Sequence, residues 1–191
     1  GYEIAGALGA KRALLAAGDD RDVIVMVGDG SYLMLHSELA TAVAERIKII
    51  VVIVQNHGYA SIGHLSETVG SARFGTRYRM LDDEARNFES GQTLPVDLAA
   101  NARSYGVDVI EIAPGPDAAA QLTAAVTRAK AADTATVIHV ESDPLIYAPD
   151  GSGWWDVPVA EVAELETTAR AREDYERQRG TQRPLLGQEE A

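Results

Sequence analysis

A chain of 191 residues with 46% hydrophobic and 24% charged residues has the composition of one globular domain with a core and a tail. Its net charge of −12 argues against a nucleic-acid partner, which would need clustered lysine and arginine. Because cysteine is absent and no apolar run approaches the ~20 residues that cross a bilayer, we expect a cytoplasmic protein without disulfides, thiolate metal sites or membrane contact.

The predicted elements alternate between helices and strands. The segment Gly1–Lys11 is rich in small residues, has a helical pattern and lacks an initiator methionine, which indicates a piece of a larger protein. Continuous β-branched runs, typical of parallel strands covered on both faces, are Val23–Val27, Ile49–Val54, Val107–Ile112 and Ala135–Val140. Helical patterns between and beside them are Tyr32–Arg46, Val96–Tyr105, which stops at Gly106, and Ala118–Ala132.

This alternation predicts an α/β fold, a three-layer α/β/α sandwich with a mainly parallel sheet. Ligands of such folds bind beyond the carboxyl ends of the strands, so the loops after Val27 and Val54 are expected to be functional. Two long stretches, roughly residues 55–95 and 142–157, have no regular pattern. Loops of that length in a compact domain are usually functional or disordered.

A helical pattern resumes at Pro158, with Val159, Val162 and Leu165 on its apolar face. It continues into the charge-rich run Arg170–Arg179, which we interpret as a solvated, partly frayed helix. We therefore predict one domain over residues 1–157 and a charged helical tail over residues 158–191.

The turn Gly28-Asp29-Gly30-Ser31 follows a predicted buried strand and precedes a helix. Glycine allows the backbone to approach a ligand closely, and a helix amino terminus attracts anions such as a diphosphate. Asp29 adds an oxygen ligand at the same point, and as a residue of the rim it is expected to contribute little to the core. A plain tight turn is the alternative interpretation, because Gly-Asp-Gly turns are common.

The second strand is followed at once by Gln55-Asn56-His57-Gly58-Tyr59. Adjacent parallel strands bring their carboxyl ends into one crevice, so Asp29 and Asn56 can share an ion. Mg²⁺ prefers octahedral oxygen ligands, and the predicted set is Asp29, Asn56, the backbone carbonyl of Gly58, two diphosphate oxygens and a water. A neutral asparagine fits because the diphosphate already supplies negative charge.

Gly28-Asp29-Gly30, followed after 25 residues by Asn56, resembles the signature of thiamine-diphosphate enzymes of the acetolactate synthase and pyruvate decarboxylase superfamily. The resemblance implies a thiamine-diphosphate-binding fold with thiamine diphosphate and Mg²⁺ as cofactors. The implied metal ligands are Asp29, Asn56 and Gly58. The implied cofactor-binding residues are Gly28, Asp29, Gly30, Ser31, Asn56, His57, Gly58 and Tyr59.

The same resemblance implies that the activating glutamate lies on the pyrimidine-binding domain of the same full-length protein or of a neighbouring subunit. A bulky apolar residue that bends the cofactor is expected before Gly1. We therefore expect half a cofactor site, a fragment inactive by itself, and a homo-oligomer. An exposed apolar patch near Gly1–Ala10 and the two long loops would contact the missing domain.

A narrower resemblance covers roughly residues 1–162 and relates the chain to the C-terminal part of trihydroxycyclohexane-dione hydrolases of inositol catabolism. The segments that carry it are Gly1–Lys11, Met26–Leu39, Asn56–Ser66, Phe74–Arg79, Val96–Val107 and Trp154–Val162. It implies hydrolysis of a ring C–C bond in a cyclic 1,2-dione to give 5-deoxyglucuronate.

Two alternatives remain open. An acetolactate synthase-like carboligase or decarboxylase would share every metal-site residue. A non-catalytic nucleotide- or flavin-binding module would have no Mg²⁺ between Asp29 and Asn56.

No catalytic residue is assigned, but His36 and His64 are candidates. For His36 a substrate-side role and a packing role are equally open, and His57 could reach the diphosphate. His139, inside an apolar strand, is expected to be structural.

Three arginines surround Phe74, and they are Arg73, Arg77 and Arg79. We expect ordinary surface arginines, with binding of a polyol or a carboxylate product as the alternative. Trp154 and Trp155 are expected to be packing residues rather than substrate platforms.

Overall fold

The computed structural model describes residues 1–147 and 154–183; residues 148–153 and 184–191 lie outside the described part. One four-stranded sheet, fully parallel, has the strand order β1-β2-β4-β3. The strands are β1 (Ile24–Gly28), β2 (Ile50–Gln55), β3 (Asp108–Ile112) and β4 (Thr136–Glu141). The helices are α1 (Glu3–Ala16), α2 (Asp29–Met34), α3 (Glu38–Ala44), α4 (Ala60–Thr68), α5 (Leu98–Ser104), α6 (Ala118–Ala131) and α7 (Glu166–Arg179).

Helices cover both faces of the sheet, which confirms the predicted α/β architecture. On one face, α1, α2, α3 and α5 bury residues such as Ile4, Tyr32 and Leu98 against β2 and β4. On the other face, α6 packs Ala125 and Ala129 against the neighbouring strand residues. Alternate residues of β2 therefore enter different cores, which explains why its sequence is apolar at nearly every position.

Strand β1 departs from the expectation that each strand is covered on both faces. In the described part of the chain it lies at the edge of the sheet and pairs only with β2. Its Ile24 and Met26 point to the α6 side, and Met26 is 70% exposed because α6 packs over the neighbouring strands. An apolar β-branched run thus occurs here in a strand with one uncovered face.

The single helix predicted over Tyr32–Arg46 is wrong. The chain breaks it into α2 and α3, and Leu35 between them has an extended backbone with φ −154°. Tyr32 and Leu39, on either side of the break, are both buried, whereas Leu35 and Val43 of the predicted apolar stripe are 37% and 38% exposed. The break thus accompanies complete burial of the tyrosine.

Helix α5 ends as the sequence predicts. Gly106 follows it with φ +87°, and its N–H donates to the carbonyl of Arg103 at 2.9 Å. A left-handed residue at this position costs glycine nothing, so the helix stops here.

The long stretch of residues 55–95 is not irregular throughout, because it contains α4. Its helical pattern is weak: only Gly63 of this helix is fully buried. The other irregular stretch, residues 142–157, lies partly outside the described residues.

The C-terminal segment becomes helical later than predicted. Residues 158–165 are not helical, and Val162, expected on an apolar helix face, is 93% exposed. Helix α7 then packs on the end of α4: the Thr168 hydroxyl donates to the Gly70 carbonyl at 2.8 Å, and Tyr175 is buried and donates to Asp156 at 2.9 Å. The boundary between residues 157 and 158 stays a prediction, and residues 184–191 of the tail lie outside the described residues.

Candidate functional site

The carboxyl ends of β1 and β2 lie side by side in parallel, as predicted. Gly28 at the end of β1 is paired with Val54 of β2. Asp29 follows β1 directly, and Asn56 follows the end of β2. The two residues therefore begin the loops of neighbouring strands at the same edge of the sheet.

Asp29 joins these two loops through its carboxylate. One oxygen, Oδ1, accepts from the N–H of Gly30 at 2.9 Å; the other, Oδ2, accepts from the N–H groups of Asn56 and Gly58, each at 3.1 Å. Asp29 is only 1% exposed. The sequence-based view of a rim carboxylate with little structural role is therefore wrong: this side chain organises the loop that carries Asn56.

Asn56 presents a buried oxygen that accepts no hydrogen bond. Its Oδ1 is shielded from solvent and has no partner among the described residues. Such an acceptor is costly unless a cation or a donor completes it. A neutral amide oxygen and the Asp29 carboxylate, whose Oδ1 accepts a hydrogen bond only from Gly30 among the described residues, are the kinds of oxygen ligand that Mg²⁺ prefers.

Few protein ligands converge at this edge of the sheet. Within the described ranges, no group of three or more histidine, cysteine, aspartate or glutamate side chains could hold a metal ion. A cation at this site would therefore have to draw most of its ligands from backbone, ligand phosphates and water, which is how Mg²⁺ commonly binds.

The glycines of the two loops differ in what would surround a side chain at each position. A side-chain carbon at Gly28 would stand in open space, so this position leaves room for a ligand. At Gly30 the same atom would lie 2.5 Å from the ring of Tyr59, so the absence of a side chain here gives room to the tyrosine. That Gly30 also lets the backbone approach a ligand stays a prediction.

Gly58 is fixed by a neighbouring segment. Its φ is +155°, and a side-chain carbon would lie 2.3 Å from the carbonyl oxygen of Thr76. The N–H of Tyr59 donates to that carbonyl at 2.7 Å, and the N–H of Tyr78 donates to the carbonyl of His57 at 2.8 Å. Residues 76–78 thus brace the loop after β2 as a short antiparallel partner. The sequence indicated this segment through the family resemblance and through its arginines, but not as a support for the loop after β2.

His57 has a left-handed backbone, with φ +59°, and its side chain turns toward β4. Its Nδ1 lies 3.2 Å from Nε2 of Gln55, and its Nε2 lies 3.3 Å from a carboxylate oxygen of Glu141. The oxygen Oε1 of Gln55 lies 2.6 Å from Nε2 of His139. Buried Gln55, which sequence reasoning missed, therefore links the two histidines, and the polar side chain at the end of an apolar strand was the available signal.

Ser31 and Tyr59 flank the crevice. The hydroxyl of Ser31 lies near the carboxylate of Glu3, whose pKa is lowered by its backbone N–H, the amino terminus and this hydroxyl. The ring of Tyr59 packs edge-on against Tyr78 with centroids 5.7 Å apart. Burial raises the pKa of Tyr78, as do Tyr59 and the charge of Asp29 nearby.

The two candidate histidines lie in different surroundings. His36 is placed between aromatic rings, with centroid distances of 5.1 Å to Tyr32 and 5.8 Å to Tyr105. The hydroxyl of Tyr32 donates to Asn101 at 2.8 Å, and burial raises its pKa. His64 stacks on Tyr147, with centroids 4.0 Å apart.

Arg73 is not a surface arginine. It is 6% exposed and makes two hydrogen bonds to the carboxylate of Glu67 and one to the hydroxyl of Tyr147. These contacts tie α4 to the loop after β4. Arg77 lies 3.8 Å from Glu89, and Arg79 donates to the carbonyl of Gly91 at 2.8 Å.

A cavity of about 620 Å³ lies between α4, α7 and the segment that joins β4 to α7. His64, Trp154, Trp155 and Tyr175 line it. Trp154 stands near Tyr175, at 6.2 Å between centroids, while Trp155 is 78% exposed. The expectation that both tryptophans are packing residues is therefore wrong for Trp155.

Exposed apolar side chains also occur where a partner domain was expected to dock. Tyr2 and Met34 are exposed near the start of α1, whereas Ile4, Ala7 and Leu8 of the same helix are buried. The exposed apolar side chains near the chain start thus come from Tyr2, just before α1, and from Met34 of α2. Within residues 1–147 and 154–183, no helix is both long and apolar enough to cross a bilayer.

Comparison with known proteins finds a matching family and similar curated proteins. Residues 1–140 match the family described as thiamine pyrophosphate enzyme, C-terminal TPP binding domain. The chain is 38% identical over 173 residues to 3D-(3,5/4)-trihydroxycyclohexane-1,2-dione hydrolase 2 of Bacillus cereus (strain ZK / E33L), covering 91% of this chain and 26% of that protein. A hydrolase of the same type from Bacillus anthracis matches with the same identity and coverage.

Among solved structures, a thiamine diphosphate-dependent 4-hydroxybenzoylformate decarboxylase of Rhodococcus jostii RHA1 is 26% identical, with a TM-score of 0.52. The matched region covers 72% of this chain and 22% of the decarboxylase chain. Benzoylformate decarboxylase of Polynucleobacter necessarius shares the fold, with 22% identity and a TM-score of 0.60. Here the matched region covers 77% of this chain and 24% of the decarboxylase chain. The chain spans about a quarter of the length of the curated relatives that it matches.

Proposed function

Because the chain belongs to the family of C-terminal TPP-binding domains of thiamine pyrophosphate enzymes, we propose that Asp29, Asn56 and the carbonyl of Gly58 hold the Mg²⁺ that anchors the cofactor diphosphate. Enzymes of this family use thiamine diphosphate with Mg²⁺. The observation that carries the assignment is the buried, unpartnered Oδ1 of Asn56, a residue whose backbone N–H donates to the carboxylate of Asp29.

The chain's own residues would act by placement. Three backbone N–H groups orient the Asp29 carboxylate before any ligand arrives, so little reorganisation is needed when a cation binds. Open space at Gly28 admits the diphosphate, and Ser31, His57 and Tyr59 flank it. When bound, thiamine diphosphate would supply a nucleophilic carbon for covalent catalysis at a substrate carbonyl.

We propose that the protein carrying this domain is a hydrolase that opens the ring of a trihydroxycyclohexane-1,2-dione, as the names of the relatives at 38% identity describe. In this proposal the pyrimidine-binding domain of the same protein or of a neighbouring subunit completes the site, in a homo-oligomer of inositol catabolism. His64 remains the candidate for a substrate-side role, since it lines the cavity with Trp154 and Trp155. His36 is a weaker candidate because it lies between two tyrosine rings.

An acetolactate synthase-like decarboxylase or carboligase is the second candidate, because a solved decarboxylase shares this fold at 26% identity. The two candidates share the metal site and differ in substrate. Assaying the intact protein with the cyclic dione and with pyruvate as separate substrates distinguishes them. Turnover of pyruvate without ring cleavage would overturn the hydrolase proposal.

The metal site is tested by Asn56→Ala in the intact protein, followed by calorimetric titration with thiamine diphosphate and Mg²⁺. Since Oδ1 of Asn56 has no protein partner, its removal should leave the unfolding temperature unchanged. Cofactor affinity should fall at least about tenfold, because even outer-shell partners of a metal contribute about 10- to 100-fold. The matched control is Asn87→Ala, an exposed loop residue, which should change neither affinity nor substrate turnover. Unchanged affinity in Asn56→Ala would contradict the proposal.

A further inference from the structure

A second, smaller cavity lies beside the candidate metal site, toward β4. Its volume is about 110 Å³, enough for several waters or for a small ligand group. We call it the anion pocket, and its main lining residues are Asn56, His57, Arg77, Tyr78, Arg79 and Leu145. Among the residues that the structure describes, no aspartate or glutamate lines it.

The anion pocket collects buried polar atoms that lack partners. Among the described residues, the buried unpartnered side-chain atoms are Oδ1 of Asn56, Nε of Arg77, the hydroxyl of Tyr78 and Oε2 of Glu3. All but the Glu3 atom belong to residues that line this one cavity. Since buried polar groups are nearly always hydrogen-bonded, their concentration here indicates a site that a ligand completes.

The orphaned atoms define the chemistry of that ligand. The N–H of Arg77 and the O–H of Tyr78 are donors, whereas the Asn56 oxygen is an acceptor that the metal site already uses. Tyr59 lies close enough to Tyr78 to raise its pKa, but no hydrogen bond of good geometry joins the two side chains. Donors from a guanidinium and a phenol suit an anion, with which they form short, charge-assisted hydrogen bonds.

The surrounding charges agree with this assignment. Arg77 is held only loosely by Glu89, at 3.8 Å, and Arg79 uses one nitrogen on the Gly91 carbonyl. The carboxylate of Glu141 lies 3.3 Å from His57 and, like Glu89, is not part of the lining. Arg77 and Arg79 therefore line the cavity, whereas Glu89 and Glu141 do not. The carboxylate of Asp29, which is near Tyr78, accepts hydrogen bonds from three backbone N–H groups.

Topology separates the anion pocket from the diphosphate crevice. The crevice lies between the ends of β1 and β2, whereas the anion pocket includes residues 144–145 that follow β4, the neighbour of β2 on its other side. Asn56 stands between the two. Hydrogen bonds from residues 76–78 to the loop after β2 hold Arg77 and Tyr78 in place.

We propose that the anion pocket binds a carboxylate group of a small ligand through Nε of Arg77 and the hydroxyl of Tyr78. The hydrolysis proposed above releases an acid, so the natural ligand would be the carboxylate product; that identification rests on the proposed function. Binding of the anion itself does not rest on it. The pocket would hold the carboxylate end beside the cofactor without contacting the metal.

The test uses acetate as the probe, titrated into the intact protein without thiamine diphosphate or Mg²⁺, at constant ionic strength. Saturable stabilisation against thermal unfolding is expected, with a dissociation constant in the millimolar range for so small a ligand. Arg77→Gln should weaken acetate binding about tenfold or more, and Tyr78→Phe by a smaller factor. The control Arg103→Gln removes an exposed arginine paired with Glu111 and should bind acetate like the parent protein.

Unliganded Tyr78→Phe provides an independent check. Because the hydroxyl of Tyr78 is buried without a partner, its loss should not lower the unfolding temperature. Tyr32→Phe should lower it, because that buried hydroxyl donates to Asn101. A lower unfolding temperature for Tyr78→Phe would overturn the view that this hydroxyl awaits a ligand.

Three further outcomes would overturn the proposal. These are the absence of saturable acetate binding, equal binding in parent and Arg77→Gln, and binding of inorganic phosphate but not of acetate. If Arg77→Gln loses cofactor affinity while the parent does not bind acetate, the pocket belongs to the diphosphate. Since acetate is titrated without cofactor, failure of this test leaves the metal site standing, and failure of Asn56→Ala leaves the anion pocket standing.

Discussion

Replacing Asp29 by asparagine separates the structural role of this side chain from its role as a ligand. The carboxylate accepts hydrogen bonds from three backbone N–H groups, those of Gly30, Asn56 and Gly58. An asparagine has the same shape but only one acceptor oxygen. If that oxygen accepts from Asn56 and Gly58, the amide N–H₂ of the new asparagine faces the N–H of Gly30, and two donors meet. If the amide is flipped, its N–H₂ faces the N–H groups of Asn56 and Gly58 instead.

The magnitude follows from counting these bonds. A hydrogen bond to a charged group contributes about 1.5–3 kcal/mol net, and a neutral one about 1 kcal/mol, both values already including desolvation. The better orientation loses one charged bond and weakens two, so we expect Asp29→Asn to lower the free energy of unfolding by roughly 3 kcal/mol. In urea this corresponds to a midpoint shift of about 1–2 M, for a slope of about 2 kcal/mol per molar.

The assay is urea unfolding of the cofactor-free protein in the presence of a chelator. Asp97→Asn is the matched control, because Asp97 caps α5 with one bond to the N–H of Ala100 and asparagine caps equally well. It should change the free energy of unfolding by less than about 0.5 kcal/mol. If Asp29→Asn were as stable as this control, the carboxylate would not organise the loop after β2, and its three hydrogen bonds would contribute nothing net to folding.

Two other predictions concern the segments that support the site. Gly58→Ala should destabilise the protein by about 1–3 kcal/mol, the usual cost of a strained backbone, because the new carbon meets the Thr76 carbonyl at 2.3 Å. The control is Gly9→Ala in α1, where a side-chain carbon has open space around it. This variant should be neutral or stabilising in the same urea assay. The pKa of Glu67 is lowered chiefly by its hydrogen bond to Arg73. The pair therefore stabilises the fold fully at pH values above the ordinary carboxyl pKa of 4.5, and this contribution is lost as the pH falls through the lowered pKa. Arg73→Gln should therefore be less stable than the parent at neutral pH, with the difference shrinking on acidification, and a difference independent of pH would contradict the assignment.

Local patterns predicted much of the sheet and of the metal site. The β-branched runs located all four strands to within about two residues, and the Gly-Asp-Gly turn and Asn56 were placed at the ends of neighbouring strands, where the structure has them. These features depend on short segments whose apolar runs and turn residues favour one local structure. The helix break at Leu35 and the existence of α4 could not be predicted in this way, because both occur where contacts join residues distant in sequence. Tyr32, beside the break, donates to Asn101, and Arg73, which binds Glu67 of α4, also contacts Tyr147.

The sequence by itself determined which residue types stand at the ends of β1 and β2, and thereby the chemistry that the crevice can offer. Only the tertiary structure decided what each of them does there. Asp29 is buried under three N–H donors, Gly30 leaves room for Tyr59, and residues 76–78 brace the loop that carries Asn56. The physical reason is that a backbone hydrogen bond between segments some twenty residues apart leaves no periodic trace in either segment, whereas burial of a strand on both faces constrains the residue type at every position.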